Sequence, residues 1–213
     1  HQVDQARRQS GAFKGCAEYL FTRERDEMDW LVDAIMRMPL VNEPFPYLYL
    51  PNVFSTDLYA DIQKNLDVAF LPIKEVRPVK GYSEREVHAP KSEFWQRMDT
   101  MLRDGRLKSA ICAKFGRYSP KFKDETLLIR DSEGFGMGPH TDTPAKVASV
   151  LFYLPADSAD ICAGTTVYRP KLEGFTCPGT THHSAEGFDA VRTMPYLPNS
   201  MFSFFKSDTS FHG

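Results

Sequence analysis

The change of pattern near residue 121 constrains the fold more than any other feature of this chain. Before that point, apolar residues recur at helical spacing; after it, short apolar runs alternate with turns rich in Gly, Pro, Asp and Asn. Two hydrophobic periods in one chain of 213 residues predict helices first and strands afterwards. We therefore expect an α+β protein in which N-terminal helices pack on one side of an antiparallel sheet sandwich or barrel.

Residues 1–120 are expected to be mainly helical. Helical spacing and capping residues predict four helices: one over 30–38, one capped by Ser55 or Thr56, one capped by Ser92, and one over 107–115. A short aromatic strand is expected at 45–51, between prolines. The charged stretch 67–90 contains several prolines and a glycine, which favours an irregular loop.

Residues 121–213 are expected to form the β core of a single domain that spans 1–213. The predicted strands share apolar or β-branched character between turn residues, and they cover 126–130, 146–154, 165–168 and 200–205. The run Phe202–Phe205 is followed within eight residues by His212 and Gly213. We expect the last strand of this core to lie beyond Gly213.

His140, Asp142 and His212 are the candidate metal ligands. Residues i and i+2 of a strand point the same way, so His140 and Asp142 can reach one ion from a single strand. Two imidazoles and one carboxylate form the set that holds non-haem Fe(II) on one face and leaves up to three coordination positions open. A surface turn capped by Asp142 is the alternative interpretation of this short motif.

An ordered series of motifs around these residues resembles the Fe(II)/2-oxoglutarate-dependent oxygenase superfamily, in its prolyl-hydroxylase-like branch. The series consists of Leu128–Asp131 with Gly134 before His140-Thr141-Asp142, then Val150–Pro155, Ala163–Tyr168, and Pro198–Phe205 before His212. The resemblance covers roughly the C-terminal ninety residues. It is fairly specific for the superfamily and carries almost no information about the substrate.

The resemblance implies a double-stranded β-helix, of jelly-roll or cupin type, with Fe(II) at its open end. It also implies 2-oxoglutarate as co-substrate and O₂ as oxidant, with hydroxylation or a related oxidation of a small molecule. Radical halogenases of this superfamily replace the carboxylate ligand by Gly or Ala, so Asp142 argues against halogenation. A cupin-like isomerase or dioxygenase without 2-oxoglutarate, a protein-residue hydroxylase and a non-catalytic sensor stay open as alternatives.

The resemblance further implies an Arg or Lys about ten residues after the distal histidine, which binds the far carboxylate of 2-oxoglutarate. We expect that residue beyond Gly213, unless another cation replaces it. Arg130 and Lys146, on the predicted strands before and after the metal motif, are the candidate replacements, and Tyr153 can add a hydroxyl contact. A surface ion pair is the alternative for Arg130, and a solvated side chain is the alternative for Lys146.

Two further features concern the stretch between Asp142 and His212. The segment 162–197 is expected to form a mobile substrate lid near the mouth of the site. The adjacent histidines His182 and His183 resemble a second metal pair, but neighbouring residues of an extended chain point to opposite sides. A loop that faces the substrate is the alternative for them.

Composition and charge indicate which classes of partner are expected. The formal net charge is −2, and acidic residues interrupt the basic run 103–123, which gives no basis for nucleic-acid binding. No apolar run reaches the length of about 20 residues that spans a bilayer. Four scattered cysteines predict reduced thiols in a cytoplasm, with a Cys162–Cys177 disulfide as the alternative. We expect a small-molecule substrate; the oligomeric state stays open.

Overall fold

Four α-helices and seven β-strands form the regular structure of the described part of the chain. The computed structural model describes residues 26–69, 85–89, 91–118, 121–132 and 134–213. The helices are α1 (Glu27–Arg37), α2 (Thr56–Ala69), α3 (Glu93–Leu102) and α4 (Gly105–Lys114). The strands are β1 (Tyr47–Pro51), β2 (Arg85–His88), β3 (Leu128–Asp131), β4 (Ala148–Tyr153), β5 (Thr166–Pro170), β6 (Phe188–Thr193) and β7 (Ser200–Phe205). The predicted α+β class is confirmed.

The four predicted helices are present, and side-chain caps explain where they begin. A carboxylate or hydroxyl oxygen accepts a hydrogen bond from an amide of the first turn, which otherwise lacks a partner. The capping residues are Asp26, Ser55, Ser92 and Asp104, which accept from the amides of Met28, Leu58, Trp95 and Arg106. The caps Ser55 and Ser92 were predicted from the sequence; Asp26 and Asp104 were not.

The central sheet is antiparallel, with the strand order β1-β7-β4. Successive residues of β7 point to opposite faces of this sheet. Met201 packs in the cluster that includes the helices, whereas Phe202 and Phe204 pack in a separate cluster on the opposite face. All three side chains are fully buried. Strand β7 is therefore covered on both faces, which explains why its apolar residues do not alternate with exposed polar ones.

The helices cover one face of the central sheet, as predicted. Apolar residues at helical spacing, such as Leu31 and Ile35 of α1, pack against Leu48 and Leu50 of β1. All four of these side chains are fully buried. Because burial of apolar surface is the main favourable contribution to folding, this cluster is expected to supply much of the stability.

A second layer of strands lies against the other face. Strands β5 and β6 form an antiparallel hairpin. On the other edge of β5, Val167 forms a β-bridge with His212, and His212 forms another with His140. A cluster of buried side chains fills the space between the two layers: Phe45, Tyr47, Tyr153, Val167, Met194, Phe202 and Phe204. The candidate metal ligands therefore belong to the layer that faces away from the helices.

Two strands were not predicted. Strand β2 lies inside the predicted loop 67–90, of which residues 70–84 and 90 lie outside the described residues. Strand β6 lies inside the segment predicted to be a lid, and of its six side chains only Phe188 is buried. Strand β2 (Arg85–His88) contains one apolar residue, and the apolar residues Ala190 and Val191 of β6 are exposed, so neither strand shows the apolar alternation on which strand prediction depends.

No helix among the described residues combines the length and the apolar character needed to cross a bilayer. The thiols of Cys112, Cys162 and Cys177 are all free. The disulfide considered between Cys162 and Cys177 is therefore wrong.

Candidate metal centre

His140 and His212 are direct cross-strand partners. The amide of each donates to the carbonyl of the other, with both N···O distances at 2.9 Å. Residues paired in this way project their side chains from the same face of the ladder. Asp142 lies two positions after His140 and projects from that face as well. One donor atom from each of the three side chains lies within 4.8 Å of the others, and all three residues are buried.

The two imidazoles are held in the same way by the main chain. The Nδ1 of His140 lies 3.0 Å from the carbonyl oxygen of Gly138, and the Nδ1 of His212 lies 2.9 Å from that of Ser210. A carbonyl oxygen can only accept, so Nδ1 carries the proton in both rings. The lone pair is then on Nε2, the atom left to bind a metal. Backbone carbonyls commonly orient metal-binding histidines in this manner.

The carboxylate of Asp142 has a partner on each oxygen. The ammonium of Lys146 donates to Oδ1 at 2.6 Å, and the hydroxyl of Ser149 donates to Oδ2 at 2.7 Å. Burial raises the pKa of Asp142, but the charge and hydrogen bond of Lys146, with His212 and Ser149, outweigh it, and the net pKa is lowered. Asp142 is therefore ionised at neutral pH.

Both histidines are neutral at neutral pH. Burial lowers the pKa of His140, and the adjacent His212 lowers it further, to about 4. Burial likewise lowers the pKa of His212, against the opposing effect of the Ser210 carbonyl. Two neutral imidazoles and one carboxylate offer three lone-pair donors with a single negative charge. This set fits a divalent first-row metal and has the composition of the triad that binds non-haem Fe(II).

The segment 177–183, which bends at Gly179 and Thr180, runs alongside the chain that carries His140 and Asp142. The hydroxyl of Thr141 donates to the carbonyl of Cys177 at 2.8 Å, and the amide of His183 donates to the carbonyl of Pro139 at 2.9 Å. At Gly179, where φ is +126°, an added Cβ would lie 2.3 Å from the carbonyl oxygen of Asp142. Only glycine permits this close approach, which holds the segment against the metal strand.

His182 and His183 point to opposite sides of this segment. The ring of His182 lies beside that of His140, with 4.3 Å between centroids, and His182 is exposed. The ring of His183 packs instead among Phe175, Phe188 and Phe211. The two histidines are adjacent in sequence but cannot bind one metal ion together in this arrangement. His182 faces the candidate metal centre, whereas His183 anchors the segment that carries it.

The three residues proposed to contact 2-oxoglutarate occupy different environments. Lys146 contacts the triad directly, although it lies in a turn before β4 rather than on the strand. Arg130 lies on β3, where its guanidinium pairs with Glu86 at 2.6 Å, so the alternative of a surface ion pair is present. Tyr153 is buried between the two layers, and its hydroxyl donates to Thr165 at 2.8 Å.

The predicted lid, 162–197, is not one continuous loop. It contains β5, β6 and the segment 177–183, all of which are hydrogen-bonded to neighbouring chain. Val167 of β5 is fully buried, and β5 bonds to the strand of His212. The greater part of this region is therefore a structural component of the layer that carries the metal centre.

Ser149 is the site residue that the sequence did not predict, and His182 was singled out only as half of a metal pair or as part of a loop that faces the substrate. Ser149 has a detectable signal, because it alternates with Leu151 and Tyr153 on β4 and so shares the face that looks toward the second layer. The contact of His182 with His140 has no such signal, since it depends on how the segment 177–183 is placed by Gly138, Gly179 and Thr141.

No protein family profile and no curated protein matches this chain. Among solved structures, it is similar to a crystal structure of the epimerase SnoN in complex with Fe3+, alpha ketoglutarate and nogalamycin RO. The sequence identity is 14%, the match covers 87% of this chain and 75% of that chain, and the TM-score is 0.42. This is a loose likeness, and the assignment of the metal centre depends on the geometry of His140, Asp142 and His212.

Proposed function

We propose that this protein is a non-haem Fe(II)- and 2-oxoglutarate-dependent oxygenase that oxidises a C–H bond of a small-molecule substrate. One observation carries the proposal: His140, Asp142 and His212 converge with their metal-binding atoms within 4.8 Å of one another, and both imidazoles have Nδ1 bonded to a carbonyl. The alternative of a surface turn at Asp142 is disfavoured, since Asp142 is 6% exposed and hydrogen-bonded to Ser149 rather than to a local amide.

The three side chains would hold the metal by Nε2 of each histidine and one oxygen of Asp142. Three protein ligands leave coordination positions for a chelating co-substrate and for O₂. When bound, iron with 2-oxoglutarate and O₂ supplies the oxidising chemistry that breaks the C–H bond. For hydroxylation, one oxygen atom of O₂ enters the product and the other enters succinate, with release of CO₂. Substrate and 2-oxoglutarate each lose two electrons, which together reduce O₂.

Asp142 supports oxidation of the hydroxylase type. Its carboxylate would occupy the coordination position that a halogenase leaves open for halide. The hydroxyl of Ser149 fixes the orientation of this carboxylate from the adjacent strand. We therefore expect hydroxylation, or a related desaturation or ring closure, rather than halogenation.

Lys146 is the cation that we assign to the acidic co-substrate. Its ammonium already contacts the triad, and its side chain is 54% exposed, so it can reach a carboxylate bound at the open coordination positions. Arg130 is already paired with Glu86 on the neighbouring strand. The hydroxyl of Tyr153 is bonded to Thr165 and points into the apolar space between the layers.

We also propose that the two layers are the two sheets of a double-stranded β-helix. The central sheet β1-β7-β4 supports this as one half. The bridges from β5 to His212 and from His212 to His140 support a second half, with the order β6-β5-His212-His140. The buried cluster between the layers is the interior that such a fold requires.

An anaerobic titration tests this function. Fe(II) is added to the metal-free protein, followed by 2-oxoglutarate, and the visible spectrum is recorded for the weak charge-transfer band of a chelated 2-oxo acid. We expect the band in the wild-type protein and its absence in His212→Ala. Iron binding without the band, and without 2-oxoglutarate-dependent O₂ consumption, would contradict the co-substrate and favour a metalloenzyme that does not use it.

A further inference from the structure

Lys146 is the cation that neutralises the buried Asp142. The ammonium lies 2.6 Å from Oδ1, and the Asp142 side chain is 7% exposed against 54% for Lys146. A carboxylate buried beside two neutral imidazoles is costly unless a cation pairs with it. From this geometry we propose that Lys146 is a resident counter-ion that a divalent metal displaces, so that metal binding releases its ammonium for an acidic ligand. This inference rests on the proposed metal centre.

The two partners of Asp142 differ in their freedom to move. Ser149 belongs to β4 and is paired in register with Phe204 of β7, so its hydroxyl is fixed by the sheet. Lys146 lies in a turn closed by its own amide and the carbonyl of Thr143, and it carries its charge on a flexible four-carbon chain. When a cation binds the carboxylate, Lys146 is the partner that can leave and Ser149 is the one that stays.

Charge makes the exchange necessary. A metal held by an oxygen of Asp142 would lie within a few ångströms of the Lys146 ammonium, and two cations that close together repel each other. Lys146 therefore opposes metal binding as long as it stays on Oδ1. Its removal from that position costs little, because its exposed side chain can return to water.

The displaced ammonium would remain within reach of the open coordination positions. A 2-oxo acid that chelates the metal brings carboxylate charge there, and a flexible ammonium suits a carboxylate as a point charge. The same side chain then serves two states: it holds Asp142 before the metal binds and the co-substrate afterwards. Binding is consequently ordered, with the metal first and the acid second.

Three variants test this exchange. Lys146→Met removes the charge and keeps a chain of similar length; Lys146→Arg keeps the charge; Lys64→Met removes a lysine from an exposed ion pair with Asp61 as the control. Melting of the metal-free protein, anaerobic calorimetry with Fe(II), and calorimetry of 2-oxoglutarate with the Fe(II)-loaded protein are measured for each.

For Lys146→Met we expect the stability of the metal-free protein to fall and its affinity for Fe(II) to rise. The metal-free protein should melt roughly 2–4 °C lower, because Asp142 loses its cation. Fe(II) should bind roughly fivefold more tightly, because the competing charge is gone. Binding of 2-oxoglutarate should weaken by roughly tenfold or more. Lys146→Arg should retain wild-type behaviour in melting, and Lys64→Met in all three measurements.

An unchanged or weaker affinity for Fe(II) in Lys146→Met would overturn the exchange, because a purely structural ion pair predicts that outcome. Unchanged binding of 2-oxoglutarate would overturn the second role of Lys146. Failure of the proposed function looks different: the wild-type protein would bind Fe(II) but not 2-oxoglutarate, while the opposite changes in melting and Fe(II) affinity would persist. A wild-type protein that binds no Fe(II) would overturn both.

Discussion

The two faces of strand β7 pack against different kinds of residue. On one face, Met201 contributes to an apolar cluster with the helices, in which the buried residues are hydrophobic side chains at regular spacing. On the other face, Phe204 lies with its ring centroid 4.5 Å from that of His212, beside buried polar groups. The helical side is held by burial of apolar surface, whereas the layer that carries His140, Asp142 and His212 adds hydrogen-bonded polar side chains to its own buried apolar cluster.

This difference indicates that stability and chemistry are separated across one sheet. A side chain on the helical face can be truncated with a loss of packing alone. A polar side chain of the candidate metal centre holds an oriented lone pair or charge, and its loss is expected to change what the site can bind. The predictions below measure how complete this separation is, beginning with the largest effect on the free energy of unfolding.

Truncation on the helical face should reduce stability without changing the metal centre. Leu50 is fully buried in the apolar cluster, and Leu50→Ala is expected to lower the free energy of unfolding by about 2–5 kcal/mol. Fe(II) affinity of the folded protein should stay at the wild-type value. Denaturant unfolding and anaerobic calorimetry check the two quantities, with the exposed Leu172→Ala as control. A loss of Fe(II) affinity in folded Leu50→Ala would show that the two faces are coupled.

Acid should destabilise the metal-free protein through the buried histidines of the candidate metal centre. The pKa of His140 is about 4 in the folded state against 6.5 for the free side chain. The unfolded state therefore binds more protons between these values, and stability falls as the pH drops from 6.5 to 4, by up to about 3 kcal/mol. The lowered pKa of His212 acts in the same direction.

Unfolding measured across this pH range checks the effect, with His140→Gln as the comparison. The variant should lose the share of the pH dependence that His140 contributes. A wild-type protein whose stability is flat from pH 6.5 to 4 would mean that these imidazoles are not held neutral.

Two serines compare the two faces directly. Ser149→Ala removes the hydrogen bond to Oδ2 of Asp142, and Fe(II) affinity should fall by about 10- to 100-fold. Ser203 lies on the opposite face of the same sheet, buried, and its hydroxyl has no hydrogen-bond partner among the described residues. Ser203→Ala should leave Fe(II) affinity unchanged and stability equal or higher. Equal effects of the two substitutions on Fe(II) affinity would contradict a specific role for Ser149.

The smallest effect is expected at His183. Its Nε2 is buried without a hydrogen-bond partner among the described residues, and its ring packs against three phenylalanines. His183→Phe should therefore change the free energy of unfolding by less than about 1 kcal/mol, in either direction. Denaturant unfolding measures this, and a strongly destabilised variant would show that the imidazole has a polar role.

The four helices were predicted well from the sequence because the features that define a helix are local. Apolar spacing and caps such as Ser92 define each helix without reference to the remainder of the fold. The sequence also singled out His140 and Asp142 as candidate metal ligands, since they share a strand face, and the structure brings both together with His212. The pairing of His140 with His212, by contrast, depends on a ladder that joins residues 72 positions apart, and only the resemblance to a family indicated it.

Other parts of the site had no local signal. Strand β6 lies at an exposed edge and mixes polar with apolar residues without a buried face, and sequence periodicity does not distinguish such a strand from a loop. The contact of His182 with His140 depends on the close approach of Gly179 to the carbonyl of Asp142. Lys146 was placed on a strand, whereas a turn lets its chain reach back to the carboxylate four residues earlier.

The iron content of two histidine variants tests the central claim most directly. His212→Ala removes a proposed ligand, and His182→Ala removes a histidine beside the site that is not part of the triad. Anaerobic Fe(II) titration should give one tightly bound iron per chain in the wild-type protein and in His182→Ala. His212→Ala should bind iron far more weakly, by at least the roughly 100-fold that the loss of supporting contacts alone can cause. Wild-type iron binding by folded His212→Ala would contradict the assignment of the metal centre.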